Sequence, residues 1–186
     1  KNNTVFKNRV LTFDNNPQWI QIPEEMTFVD RVNYVKRSSW GMNTNFYKAA
    51  SLILDAVLES EIEPSEVSNM VLAVFSDMQI DASLERGEDL NTVYENIVKK
   101  YHDAGMRSKY RVPFEPPHIL FWNLRNTTGF PCLSSQENVT YLSGFSSSLL
   151  NLFCEKGVDE LKKITPDLHL KELLDDKRYN VGYILN

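Results

Sequence analysis

Val71-Leu-Ala-Val-Phe-Ser-Asp77, with Asp81 four residues further on, is a continuous apolar run that ends in carboxylates. A half-exposed strand would alternate; an unbroken run is expected when a strand is covered on both faces, as in a parallel sheet. In open α/β sheets, ligands and metals gather at the carboxyl ends of such strands, where the loops converge above a packed interior. Chemistry is therefore sought around Asp77.

Outward from this run, His118-Ile-Leu-Phe-Trp-Asn-Leu124 reads as a second buried strand and Val139-Thr-Tyr-Leu-Ser143 as a shorter one. Between the first two, Leu90 to His102 predicts a helix with Val93, Ile97, Val98 and Tyr101 inward and Gly105 as its stop. The Pro-rich segment Tyr110 to Pro117 is a connector. Upstream, Phe46, Ala49, Ala50, Ile53, Leu54, Val57 and Leu58 form an apolar helical stripe that Glu63-Pro-Ser-Glu66 breaks. Near the start, Val10-Leu-Thr-Phe13 and Gln18 to Ile22 flank the turn Asp14-Asn-Asn-Pro17 and predict a β-hairpin. Pro23-Glu-Glu25 then opens an amphipathic helix through Met26, Val29, Val32 and Val35, ending near Ser38. Ser146 to Cys154 is helical, and Asp159 to Leu174 gives one or two helices around Thr165-Pro166. Strands alternating with helices predict an α/β fold: a three-layer sandwich, a mostly parallel sheet with helices on both faces, in a single domain over residues 1–186.

The composition fits that reading. A 186-residue chain with 42% hydrophobic residues can bury a sizeable core. A net charge of −5 leaves no electrostatic footprint for nucleic acid, so direct nucleic-acid binding is not expected. Lys99-Lys100 and Arg107 to Arg111 are short enough to be solvated surface. Cys132 and Cys154 form no framework and read as free thiols of a reducing compartment. The sequons at Asn2, Asn126 and Asn138 read as chance in an Asn-rich chain, and no apolar run approaches the ~20 residues of a membrane span. The expected location is cytoplasmic, or the virion if the source is viral.

Trp40-Gly-Met-Asn-Thr-Asn-Phe46, Val74-Phe-Ser-Asp-Met-Gln-Ile-Asp81 and Phe121-Trp-Asn-Leu-Arg125, followed by Leu142-Ser-Gly-Phe-Ser146, carry a resemblance over nearly the whole chain. They resemble the C-terminal domain of a family found in plants, protists and giant viruses. That domain looks like a von Willebrand factor A module, related to the one in Ro-type RNA-binding proteins. The resemblance implies a metal-ion-dependent adhesion site built from Asp-x-Ser-x-Ser after the first strand, a Thr from a second loop and an Asp from a third. By position, Thr44 is the Thr and Asp77 the Asp. No Asp-x-Ser-x-Ser occurs in these residues, and the chain opens on what resembles the family's second strand. In that fold the first strand lies between the second and the fourth. The expectation is thus a sheet with a gap, filled by an N-terminal part of the same protein or by another chain, because unpaired interior backbone groups cost ~1–3 kcal/mol each.

Mg²⁺ is the cofactor that this site would hold, since hard cations take hydroxyl and carboxylate oxygens and leave positions open for a partner's carboxylate. Against it stand two plainer roles: Thr44 as the cap of a helix starting at Asn45, and Asp77 as a cap of the following turn. Ser76, Asp81, Trp40, Met42 and Asn43 are secondary or partner-contacting candidates. His102, His118 and His169 have no zinc-ligand spacing, and Ser143-Gly-Phe-Ser146 lacks the order of a nucleophile elbow. There Gly144 reads as a tight strand-to-helix turn and Ser146 as its cap. The expected function is a non-enzymatic module that binds a protein partner at the carboxyl edge of the sheet, with or without a bridging cation. The alternatives are a metal-dependent phosphoryl-transfer or hydrolytic enzyme using Asp77 and Asp81, with Arg125 its one obvious cation, and a component of a Ro-like RNA-binding particle.

Overall fold

The computed structural model describes residues 5–12, 14, 16–38, 45–76, 90–124, 138–144, 147–159, 171 and 174. Strands β1 (Arg9–Leu11) and β2 (Trp19–Gln21) pair antiparallel with Val10 opposite Ile20, forming the predicted hairpin. Its turn end is closed by Thr12, whose N–H donates to the Gln18 carbonyl at 3.0 Å and whose hydroxyl accepts the Gln18 N–H at 3.0 Å.

Helix α1 (Phe28–Lys36) starts later than Pro23. Thr27 is its cap, accepting the Asp30 N–H at 3.3 Å, while Met26 N–H reaches back to the Pro23 carbonyl in a preceding turn. The Thr27 hydroxyl also donates to the Asp30 carboxylate at 2.6 Å, which fixes the cap in place, whereas Pro has no side-chain acceptor for a first-turn N–H. The expected inward face is also corrected: α1 buries none of its residues, and Val29 and Val32 are exposed. Helix α2 (Phe46–Glu59) has the predicted stripe, burying Phe46, Ala49, Ala50, Ile53, Leu54 and Val57. Its cap is Asn45, whose side chain accepts the Lys48 N–H at 2.9 Å, so the capping role considered for Thr44 belongs to the next residue. At the predicted break, Pro64 opens the short helix α3 (Pro64–Ser68), and Val67 is fully buried there.

The parallel sheet consists of β3 (Val71–Ser76), β4 (His118–Asn123) and β5 (Val139–Ser143), in the order β3-β4-β5. Helix α4 (Leu90–Arg107) connects β3 to β4, and α5 (Ser147–Lys156) follows β5. Along β4, side chains alternate between two layers. Ile119 and Phe121 join Val74 in a core with Phe46, Leu54 and Val57 of α2 and Val93, Ile97 and Tyr101 of α4. Leu120 and Trp122 pack instead with Leu152 of α5. The sheet is thus flanked by helices, an α/β arrangement. Phe121 stacks on Tyr141 at 5.6 Å and meets Phe46 at 5.5 Å. The Tyr101 hydroxyl donates to the Ala50 carbonyl at 3.1 Å, tying α4 to α2, and burial pushes its phenol well above the ordinary range.

Three expectations for these elements are corrected. Val98 is exposed, because the buried line through Val93, Ile97, Tyr101 and Ala104 is a narrower face than the one read from sequence. Gly105 does not stop α4, which runs through it to Arg107; a side chain there would overlap the backbone of the 112–114 connector, so the glycine serves a close approach. Finally, β3 is not covered on both faces. Only Val74 is buried, while Val71 and Phe75 are 37% and 45% exposed; among the described residues β3 has a strand on one side only. The helices expected over Asp159 to Leu174 fall largely outside the described residues. Among the described residues no helix is long and apolar enough to cross a membrane.

Candidate functional site

Register places one polar row across the carboxyl end of the sheet. Phe75, Trp122 and Leu142 lie opposite one another, and the next row is Ser76, Asn123 and Ser143. Phe75 and Trp122 stack at 5.5 Å. Because side chains alternate along a strand, that aromatic pair lies on the α5 side of the sheet, and the polar row continues the opposite face, the one of Val74, Phe121 and Tyr141. The chain just beyond each strand is fastened to its neighbour: Leu124 N–H donates to the Ser76 carbonyl and Gly144 N–H to the Asn123 carbonyl, both at 2.9 Å. The Trp122 indole N–H donates to the Gly144 carbonyl at 2.9 Å. That bond needs the turn Gly144 makes at φ 105°, in the left-handed region, which agrees with its predicted place between strand and helix.

Within the row, Asn123 is fully buried, Ser76 half-buried and Ser143 exposed. Their two hydroxyls and one amide can both donate and accept, but none is charged. A hard cation would draw its affinity from a carboxylate, and Asp77 is the residue that follows Ser76 in the sequence. Ser76 is the one predicted site residue among those described, at the end of β3. Thr44, Asp77, Asp81, Trp40, Met42, Asn43 and Arg125 lie outside the described residues.

Asn123 was missed in the sequence reading. Its signal was a single amide closing an apolar run, since a primary amide is rarely buried without a structural or binding reason. Elsewhere, His118 meets the Thr140 hydroxyl at 2.8 Å at the opposite end of the sheet, and His102 lies beside Asp103 on the exposed side of α4. Among the described residues no three His, Cys, Asp or Glu side chains converge. Two cations of the basic stretches engage the protein's own surface. Lys100 donates to the Ser51 hydroxyl at 2.7 Å and lies over the Tyr47 ring, and Lys109 pairs with Glu61.

Sequence comparison adds a relative and a family. Over 169 residues, 90% of its length, the chain is 27% identical to uncharacterized protein L728 of Acanthamoeba polyphaga mimivirus. It spans 27% of the length of that viral protein. A family described as a domain of unknown function, DUF7788, matches residues 2–180, and the chain belongs to that family.

Proposed function

We propose that this domain is a non-enzymatic binding module of von Willebrand A type, which recognises a protein partner at the carboxyl edge of its parallel sheet. The observation that carries the reading is the in-register row Ser76, Asn123 and Ser143, closing three parallel strands immediately before Asp77. In this reading Asp77 and Thr44 supply the carboxylate and hydroxyl oxygens of a Mg²⁺ site, with Ser76 orienting them. An acidic side chain of the partner completes the coordination. The module works in the cytoplasm.

Calorimetry with Mg²⁺ and Mn²⁺ tests the cation. Wild type is expected to bind with measurable heat and Asp77→Ala to give none; equal heats from both eliminate the cation-mediated form. Turnover of a generic phosphatase substrate that disappears in Asp77→Ala would instead establish metal-dependent hydrolysis and overturn the non-enzymatic reading.

A further inference from the structure

A cavity of about 560 Å³ lies between the hairpin and the parallel sheet. Its walls are two strands. All three residues of β1 line one side, Met70 to Phe75 line the other, and Phe46, Ala49 and Ile53 of α2 contribute apolar surface between them. Arg9 is the one charged residue among those lining it.

The backbone of β3 has a defined orientation toward this space. The Met70 carbonyl accepts the His118 N–H and the Ser76 carbonyl accepts the Leu124 N–H, so the even-numbered residues face β4. Backbone direction alternates along a strand, and in a parallel pair the N–H and C=O of one residue point to the same side. Val71, Ala73 and Phe75 therefore aim their N–H and C=O groups away from β4, on the side of the cavity. Among the described residues no strand lies beside that edge of β3, and β1 is paired to β2 alone.

We propose that this slot receives a single extended apolar strand, which pairs with both β1 and β3 and joins the two sheets into one. The lining selects this occupant. With so few polar side chains in the walls, the available polar partners are backbone groups at strand spacing, which suit another extended backbone better than a small molecule. A folded sheet edge cannot enter either. A strand already paired in its own sheet has one open side, whereas the slot demands two, and this excludes the β3 of a second copy. The source we assign is a segment of the same polypeptide outside these 186 residues. In the mimivirus relative the matched region is 27% of the protein, so the larger part of that polypeptide lies outside the shared domain. Val71 and Phe75, 37% and 45% exposed, would then be covered as their apolar sequence requires.

Amide hydrogen exchange on the 186-residue chain, and on the longest natural polypeptide that contains it, tests the proposal. In the longer form the amides of Val71, Ala73, Phe75 and β1 are expected to exchange about tenfold or more slowly than in the 186-residue chain. Ala73→Pro deletes one slot-facing N–H and no bond to β4, so it should restore fast exchange along β1 in the longer form while leaving the β4 amides protected. Equal exchange in the two unsubstituted forms overturns the proposal whether or not the variant folds. So does a natural polypeptide no longer than these 186 residues. Protection of the 186-residue chain that grows with its concentration would assign the slot to a second copy and overturn it as well.

Discussion

Strands β3 and β4 are equally long and almost equally apolar, Val-Leu-Ala-Val-Phe-Ser against His-Ile-Leu-Phe-Trp-Asn, yet β4 buries five of its six residues and β3 one. The difference does not lie in composition. β4 has a strand on each side, β3 and β5, and packed side chains in the layers above and below it. β3 has β4 on one side and the cavity on the other. An apolar run states what burial a strand needs, and the topology decides whether neighbours exist to provide it. Among the described residues, a strand with central-strand composition thus stands at an edge, which is the ground for placing a further strand beside it.

The largest effect that can break this comparison comes from removing the same side chain from each strand. Phe121 is enclosed by Phe46 and Tyr141, and Phe121→Ala is expected to cost about 3–5 kcal/mol in urea unfolding. Phe75 is 45% exposed, and Phe75→Ala in the 186-residue chain should cost about 1 kcal/mol. Equal losses would mean that β3 is already covered on both sides. In a form with the slot filled, the Phe75 loss should rise toward the Phe121 value.

The next effect concerns how β4 is delivered to its central place. A methyl group on Gly105 would overlap the Val112 carbonyl oxygen and the Phe114 nitrogen, both backbone atoms of the segment that leads into β4. Alanine would gain about 1 kcal/mol of helix propensity in an open position, but backbone cannot rotate aside as a flexible side chain can. Gly105→Ala should therefore destabilise by about 2–3 kcal/mol, and the temperature midpoint of unfolding would measure it. A rise in the midpoint would show that the connector can move away from α4. At the other end of β4, Asn123 is fully buried beside the half-buried Ser76. Asn123→Ala should cost about 1–2 kcal/mol, with Ser76→Ala well below that. If Asn123→Ala is neutral, the buried amide makes no hydrogen bond that the fold depends on, and the row does not hold the carboxyl end of the sheet together.

Much of this architecture was legible in the sequence, for identifiable reasons. Strands β3, β4 and β5 and helix α2 announce themselves through apolar runs or a 3.6-residue stripe, signals set by local burial demand. The start of α1 was misread because Pro23 and two acids imitate a first turn, while the Thr27 cap that fixes the start depends on its hydroxyl meeting both the N–H and the carboxylate of Asp30. Gly105 was misread because a glycine needed for close approach and one that ends a helix look alike until the connector is in view. The site was less legible still. Register brought Asn123 and Ser143 level with Ser76, and register between distant segments is a property of the pairing, absent from each run alone. Thr44 and Asp77 came from a motif, and they lie outside the residues whose placement is described.

The smallest effect sharpens the contrast between the two walls of the cavity. On the sheet side, β3 is held by its pairing to the packed strand β4. On the hairpin side, Glu24 accepts from Lys7 at 2.8 Å and from the Asn8 amide at 3.2 Å, while the Arg31 guanidinium donates to the Glu24 carbonyl at 2.7 Å. The Lys7 bond, more than any other influence, holds the Glu24 carboxyl below the usual carboxylate range. A folded state that binds the proton less tightly than the unfolded one is favoured above the ordinary carboxylate pKa and loses that advantage as pH falls through the lowered value. Both side chains of the pair are exposed, so the change in global stability should be hard to detect, and the local titration is the better readout. Lys7→Ala should raise the Glu24 midpoint in a carbon-detected NMR titration, and added salt should do the same in wild type by screening the pair. Neither change should alter exchange of the β4 amides, which owe their protection to burial. If salt also loosens β4, the hairpin and the parallel sheet are one cooperative unit without any strand between them, and the slot is not the weak seam of the fold.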